Sequence, residues 1–158
     1  MNRVQLASGQ QIHLGAGTMH AYLGGTGVEI MANSDNVLRG GLTSKYIDVK
    51  ALLNHANMVP EPCVGEYAQQ ISPGVGLYHT EFPEFRLWVL KDHDETLDLP
   101  ATKLGRILLV TEGQLVAHCG TDDCELSRGQ SVWLAAGDEV RVTGQGCGFL
   151  ASAGVDAS

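Results

Sequence analysis

Short apolar segments recur along the chain, and Gly-containing breaks separate them. Apolar and polar residues alternate in RILLV (106–110), QLVAH (114–118) and SVWL (131–134), and this period predicts strands with one buried face. Four further segments are predicted as strands: Gln11–Leu14, Val28–Met31, Phe85–Leu90 and Val140–Val142. Turn residues lie between strands, at 112–113 (EG), 121–123 (TDD), 128–129 (RG), 136–138 (AGD) and 143–146 (TGQG). The pattern predicts an all-β protein.

One short helix interrupts this pattern. Asp48 is placed to cap a helix through Lys50–His55, which ends before the Pro-containing stretch VPEPCVG at 59–65. That stretch predicts the boundary between two β units.

The chain also contains an internal repeat. Residues 8–20 read SGQQIHLGAGTMH and residues 128–140 read RGQSVWLAAGDEV, with six positions matched over thirteen and no gap. Each copy predicts a turn, a strand, a tight Gly turn and a second strand. The copies differ at their last position, where the first has His20 and the second Val140.

Composition and charge narrow the class of protein. The 158 residues are 44% hydrophobic and include 20 Gly, which favours a folded, turn-rich domain. A net charge of -8 excludes a general nucleic-acid binder. No apolar run is long enough to span a bilayer, and the N-terminus lacks the apolar core of a signal peptide. We therefore expect a soluble, cytoplasmic protein that does not bind membranes.

The charge is unevenly distributed. Residues 1–50 have a net charge of +1, while the rest of the chain is acidic. The first third of the chain would thus tolerate an anionic small molecule best. Simple solvation of the acidic part explains the charge equally well.

The cysteines and most histidines show no pattern that predicts a disulfide scaffold or a metal site. The four cysteines are too sparse for a disulfide scaffold. Cys119, Cys124 and His118 lie close in sequence, but no second pair completes a four-ligand zinc set, which favours free thiols. Five histidines show no pairing at ligand spacing and are treated as lying outside any site: His13, His55, His79, His93 and His118.

The first copy of the repeat resembles the second conserved motif of cupins, which are small jelly-roll β-barrels. Gly9, Gly17 and His20 fit that motif, while Gly15 replaces its usual Pro and Gly24 its usual Asn. The resemblance implies that His20 is a metal ligand. Because the second copy has Val140 at this position, it resembles a barrel without a metal.

Residues 16–45, AGTMHAYLGGTGVEIMANSDNVLRGGLTSK, closely resemble the C-terminal signature of type I mannose-6-phosphate isomerases, which are zinc-dependent multi-cupin enzymes. Two positions depart from that family: Gly40 stands where Ala is usual, and Ser44 replaces a usual Pro. The second departure removes a residue that would fix the backbone before Lys45. NSDN at 33–36 is explained by turn-forming side chains.

The resemblance implies a role for five residues. His20 resembles a zinc ligand, Arg39 the active-site arginine and Lys45 a basic residue facing the substrate phosphate. Glu29 resembles a catalytic carboxylate lining the same pocket, and Tyr22 a substrate-binding wall residue. If Ala21–Leu23 is a strand, His20 and Tyr22 share one face of it.

Such residues suit the isomerisation of mannose 6-phosphate and fructose 6-phosphate. The reaction moves a proton between C2 and C1 through an enediol, for which a carboxylate can carry the proton. Zinc and a guanidinium would stabilise the developing negative charge. A basic side chain would bind the phosphate.

The resemblance supplies only His20 as a ligand for one Zn²⁺, whereas a catalytic zinc takes at least three protein ligands. We therefore expect residues 1–58 to be the second half of a catalytic cupin, completed by an N-terminal segment of the same enzyme. Residues 64–155 are expected to form a C-terminal cupin without a metal site. Two alternatives stay open: a non-catalytic cupin that binds a sugar phosphate or a protein partner, and a strand-exchanged pair of copies.

Overall fold

The computed structural model describes residues 2–34, 36–41, 43–60, 63–91 and 96–154. The strands are β1 Gln10–Gln11, β2 Glu66–Tyr67, β3 Gln69–Ser72, β4 Val75–Tyr78, β5 Phe85–Leu90, β6 Leu97–Asp98, β7 Arg106–Cys119, β8 Asp122–Ser127, β9 Ser131–Leu134 and β10 Val140–Ala153. The single helix described, α1, spans Val49–His55. No helix among these ranges is long and apolar enough to cross a membrane.

The chain divides into two compact units. The first comprises Met1–Gly27 and Ala32–Glu66, and the second comprises Val28–Met31 and Tyr67–Ser158. The predicted division into half a catalytic cupin and a complete metal-free cupin stays a prediction.

The second unit is an antiparallel β structure. Its strands follow the order β3-β4-β5-β10-β7-β8, with β6 added to β10 and β9 added to β7. The two long strands, β7 and β10, pair from Val140–Cys119 to Ser152–Arg106 with one register shift. These two strands therefore form the centre of the sheet, and the shorter strands pair at their sides.

Alternate side chains of these strands form the core. Leu108, Val110, Leu115, Val142 and Leu150 are fully buried and belong to one cluster. Burial of such a side chain contributes about 1.5–3 kcal/mol. The other sheet face carries a smaller cluster of Tyr78, Leu87 and Val89, against which Ile30 packs. The predicted alternation is thus confirmed, with both faces of the central strands covered.

Two predicted turns are wrong. Residues 112–113 lie inside β7 and residues 143–146 inside β10, and Gly113 is paired with Gly146. A Cβ on Gly113 would lie 2.1 Å from the Gln145 carbonyl oxygen, and one on Gly146 would lie 2.3 Å from that of Glu112. These glycines therefore permit close approach of the two strands within a continuous ladder, where the sequence pattern suggested chain reversals.

The first unit differs in its packing. None of its described residues is buried, and large apolar side chains including Leu38, Tyr46 and Leu53 are exposed. The predicted helix is confirmed, since the Asp48 carboxylate accepts from the Ala51 amide at 2.9 Å as its N-cap. The predicted strand Gln11–Leu14 is reduced to β1, and residues 21–23 of this unit and 28–31 of the second lie in no strand.

The internal repeat is also a repeat of local structure. The φ angles are +81° at Gly9 and +84° at Gly129, and +81° at Gly17 and +82° at Gly137. In the first copy the Ala7 amide donates to the Gln10 side-chain oxygen at 2.8 Å; in the second the Ser127 amide donates to that of Gln130 at 2.7 Å. The two copies therefore build the same pair of turns, which require left-handed Gly.

Candidate functional site

A tight turn precedes His20. The Thr18 amide donates to the Gly15 carbonyl at 3.1 Å, and Gly17 has φ +81°. A Cβ on Gly17 would lie 2.7 Å from the His55 carbonyl oxygen. Glycine is thus required here for both its backbone conformation and its lack of a side chain.

Helix α1 supports this turn. The Asn57 amide, just beyond the helix, donates to the Gly17 carbonyl at 2.8 Å, and Thr18 forms a parallel bridge with Asn57. The helix predicted from Asp48 therefore stabilises the turn before His20, through the residue that follows its C-terminal end.

The His20 ring is oriented by its own turn. Its Nδ1 lies 2.9 Å from the Thr18 carbonyl oxygen. Because a carbonyl can only accept, Nδ1 carries the hydrogen in this contact, and the neutral ring presents the Nε2 lone pair. The ring is exposed. This arrangement suits a metal ligand, whose second nitrogen is usually held by such an acceptor.

Tyr22 lies beside His20. The two rings meet edge to face, with centroids 6.0 Å apart and an interplanar angle of 70°. Tyr22 is 71% exposed. Residues 21–23 are not a strand, so the strand alternation that predicted a shared face does not apply, and the ring contact itself brings the two side chains together.

Arg39 is carried by a segment that packs against the residue before His20. A Cβ on the adjacent Gly40 would lie 2.6 Å from the Met19 methyl carbon. An Ala at position 40 would therefore displace the end of the Met19 side chain. Arg39 itself is exposed and has no hydrogen bond or ion pair with the residues that the structure describes.

Lys45 lies in a separate exposed turn. Its amide donates to the Thr43 hydroxyl at 3.1 Å. This side-chain bond restrains the backbone where Ser44 replaces the expected Pro. The Lys45 side chain, like that of Arg39, has no hydrogen bond or ion pair with the residues that the structure describes.

Glu29 is exposed and lies in the segment Val28–Met31, which belongs to the second unit.

At the NSDN stretch the Ser34 amide donates to the Ala32 carbonyl at 2.8 Å, which agrees with a turn. Asp35 and His93 lie outside the described residues.

A complete zinc site is not formed by the residues described. No three His, Cys, Asp or Glu side chains among them are grouped to hold a metal. His20 fits as one ligand, but a catalytic zinc needs three. Any zinc site that includes His20 therefore needs further ligands beyond these described residues.

An open cavity of about 260 Å³ lies elsewhere in the first unit. Its lining residues are Gln11, Ile12, His13, Cys63, Val64 and Glu66. None of the five predicted site residues lines it.

Two polar arrangements in the second unit were not predicted. His118 lies between Asp123, at 2.7 Å from Nδ1, and the Thr143 hydroxyl, at 2.8 Å from Nε2. Arg106 is fully buried and donates to the carbonyls of Pro100 and Asp138. An arginine at an inward position of an alternating strand is the only sequence signal for the second arrangement.

The chain is similar in sequence to mannose-6-phosphate isomerases, although no protein-family model matches it. It is 37% identical to the Escherichia coli K12 isomerase over 96% of this chain and 38% of that protein. Mannose-6-phosphate isomerase 2 of Arabidopsis thaliana is 34% identical over 91% of this chain and 33% of its own length. The mouse isomerase is 32% identical over 89% and 35%. The chain thus spans about a third of the length of these relatives.

Solved structures agree with the sequence relatives. Mannose 6-phosphate isomerase from Salmonella typhimurium, bound to fructose 6-phosphate and zinc, matches with a TM-score of 0.68 and 26% identity, over 79% of this chain and 32% of that one. A zinc-bound mannose 6-phosphate isomerase matches with a TM-score of 0.67 and 25% identity, over 78% and 32%. These neighbours have the cupin fold, which confirms the predicted all-β cupin class.

Proposed function

We propose, because the chain belongs to the mannose-6-phosphate isomerase family, that it is the C-terminal part of a zinc-dependent enzyme interconverting mannose 6-phosphate and fructose 6-phosphate. One observation carries this proposal for the chain's own residues. His20 is held through Nδ1 by Thr18, on a turn supported by α1, so that Nε2 is available to a metal.

The proposed zinc ligand is His20, with the remaining ligands supplied by an upstream segment of the longer enzyme. The zinc bound in two structural neighbours supports this assignment. A bound zinc would polarise the substrate oxygens. Tyr22, in edge contact with His20, forms a wall of the same site.

Arg39 and Lys45 are proposed to bind the anionic parts of the substrate. The segment of Arg39 packs through Gly40 against Met19, next to His20, which supports a place near the reacting oxygens. A guanidinium there stays protonated and stabilises the negative charge of the enediol. Lys45 supplies a mobile positive charge for the phosphate.

Glu29 is proposed as the carboxylate that carries the proton between C2 and C1. A carboxylate accepts the proton as the enediol forms and returns it to the neighbouring carbon. This role rests on the family resemblance of residues 16–45.

The isolated chain is proposed to have little or no turnover. A zinc site requires more ligands than His20, and the exposed apolar side chains of the first unit suit contact with further protein. An N-terminal segment of the same enzyme or a second copy would supply that contact.

The test is a coupled assay of mannose 6-phosphate conversion with added zinc, using the chain alone and with a separately expressed upstream part of its parent enzyme. We expect turnover only in the mixture, lost in His20→Ala and retained in His13→Ala, a matched exposed histidine outside the site. Full turnover by the chain alone would overturn the need for further ligands. Absence of rescue, with sugar-phosphate binding that Arg39→Ala abolishes, would assign the chain to binding without catalysis.

A further inference from the structure

Both copies of the repeat form the same turn near their ends. In the first copy the Thr18 amide donates to the Gly15 carbonyl at 3.1 Å, and in the second the Asp138 amide donates to the Ala135 carbonyl at 3.3 Å. A glycine with a φ of +81° or +82° directly precedes each donor. The two turns can therefore be compared residue by residue, so that Thr18 corresponds to Asp138.

The carbonyl two residues before the end of the repeat has a side-chain donor in both copies. In the first copy the Thr18 carbonyl accepts from Nδ1 of His20, 2.9 Å away. In the second copy Val140 stands at the position of His20, and its side chain has no donor. There the Asp138 carbonyl accepts from the Arg106 guanidinium instead. A guanidinium from another strand thus makes the contact that an imidazole makes in the first copy.

Arg106 places a positive charge in the interior of the second unit. Its side chain is on the inward face of β7 and is 0% exposed. A second guanidinium nitrogen donates to the Pro100 carbonyl at 2.8 Å. Because carbonyl oxygens have no net charge, these two bonds hold the guanidinium without neutralising it.

Two side chains that zinc accepts as ligands lie beside this position. Cys119 pairs directly with Val140 and packs against the same core. Residues directly opposite each other in an antiparallel pair project to the same face of the sheet. The Cys119 thiol is hydrogen-bonded to the Asp138 carboxylate, and its pKa is raised first by burial and then by the negative charge of Asp138. A thiolate and a carboxylate are both zinc ligands, so two are in place and a third position is filled by valine.

The charge of Arg106 acts on this same group. Both Asp138 and Cys119 interact electrostatically with the guanidinium. A divalent cation between them would therefore be repelled at short range by a charge that stays protonated. The second copy thus combines the absence of a histidine at position 140 with a cation already in place.

We infer that the Arg106 guanidinium is a built-in cation that closes the second copy of the repeat to zinc. The comparison with a metal rests on the proposed function, in which His20 is a zinc ligand. The guanidinium supplies both the positive charge and the donor to the carbonyl of the turn, so the second turn is held without an ion. Zinc uptake is then restricted to the first copy.

The wild-type chain provides the first test. Two carbonyl acceptors should hold the guanidinium in one orientation, so the Nη hydrogens of Arg106 should give separate and slowly exchanging NMR signals. The exposed Arg141 is the control and should give averaged, rapidly exchanging signals. Averaged signals from Arg106 would overturn the inference, because the guanidinium would not be held at the turn.

The second test opens the position to a metal. Every variant carries His20→Ala, so that the first copy contributes no imidazole. Val140→His supplies a third ligand beside Cys119. Arg106→Gln removes the charge and keeps a donor for the Asp138 carbonyl. The probe is Co²⁺, whose absorption reports four-coordinate binding, and Arg106→Gln should increase the Co²⁺ affinity of the Val140→His variant by at least about a hundredfold.

Arg106→Lys is the matched control for charge, since it should leave the Val140→His variant closed to Co²⁺. Cys119→Ser is the control for position, because it should remove the sulfur-to-cobalt charge-transfer band. Val140→Cys is close to valine in volume and supplies a thiolate as the third ligand. It repeats the comparison and decides the test where the histidine variants do not fold.

Equal Co²⁺ affinity with and without Arg106 would overturn the inference, because its charge would then exclude nothing. Folded Arg106→Gln variants that bind no Co²⁺ with either new ligand would overturn it as well. Failure here is distinct from failure of the proposed function, since every variant lacks His20. An isomerase assay without rescue, together with exclusion of Co²⁺ that depends on Arg106, would remove only the proposed function.

Discussion

The methyl group of Met19 occupies the space next to Gly40, where a Cβ would lie 2.6 Å away. This contact joins the segment of His20 to that of Arg39. Gly40→Ala should therefore push the Met19 side chain from its rotamer, at a cost of about 0.5–1.5 kcal/mol. Carbon-labelled methionine methyl resonances report this directly: the Met19 signal should move while that of Met58 stays.

The control is the double variant that combines Met19→Ala with Gly40→Ala. It removes the methyl group that Gly40→Ala would meet, so the double variant should restore the backbone resonances around Arg39. Unchanged methyl signals in Gly40→Ala would show that the two segments do not touch.

The two copies of the repeat provide a matched pair of glycines. Gly17→Ala places a Cβ 2.7 Å from the His55 carbonyl, whereas Gly137→Ala, at nearly the same φ, meets nothing within 4 Å. Left-handed strain costs about 1–2 kcal/mol, which corresponds to about tenfold faster opening. Hydrogen exchange of the Asn57 amide, which donates to Gly17, should therefore accelerate at least tenfold in Gly17→Ala. Gly137→Ala should leave that amide unaffected, and equal effects of both variants would contradict the supporting role of α1.

The buried guanidinium of Arg106 ties together two loops of the second unit. It donates to the carbonyls of Pro100 and Asp138, while its Nε has no partner among the described residues. Burial lowers the pKa of Arg106, and the nearby negative charge of Asp138 opposes that shift. Arg106→Met would leave both carbonyls without this donor and should lower the free energy of unfolding by about 3 kcal/mol.

Urea denaturation measures this loss. The exposed Arg141→Met is the control and should change stability by less than about 0.5 kcal/mol. If Arg106→Met proved as stable as the parent, the guanidinium would be replaceable by apolar packing, as happens at some buried ion pairs.

The raised pKa of the buried Tyr78 leads us to expect that the protein loses stability at alkaline pH. Burial, and secondarily the Cys147 thiolate, raises the pKa of the Tyr78 phenol above its ordinary value near 10. The folded state thus retains a proton that the unfolded chain releases. The resulting stability is present below pH of about 10 and is lost as the pH rises through the folded-state pKa. Stability should therefore fall on the alkaline side.

Urea midpoints measured across this range test the effect. Tyr78→Phe should flatten the alkaline decline, while Tyr67→Phe, at an exposed tyrosine, should keep it. A decline that is the same in both variants would assign it to other groups.

Local sequence features predicted several elements correctly. The strands Phe85–Leu90 and Ser131–Leu134 were predicted with their bounds, and Asp48 caps the helix as expected. The repeat was also predicted, down to the glycines of its turns. Such features depend on residues close in sequence, where turn conformation and the strand period act directly.

Other predictions failed because distant residues decide them. Gly113 and Gly146 look like turn residues, but each allows the opposite strand to approach it closely within one ladder. Arg106 was predicted only as the first residue of a strand. In the structure it is buried in the core, where its guanidinium donates to the carbonyls of Pro100 and Asp138. Neither outcome follows from the local pattern.

The candidate site shows the same division. By itself the sequence predicted the all-β cupin class and the likeness to mannose-6-phosphate isomerases that the comparisons report. The roles of His20, Tyr22, Glu29, Arg39 and Lys45 stay predictions from that resemblance. Only the tertiary structure decided that Thr18 orients His20, that α1 supports its turn, and that Gly40 brings the Arg39 segment against Met19. The first contact is local but depends on the turn conformation. The other two join segments far apart in sequence, and chain packing determines them.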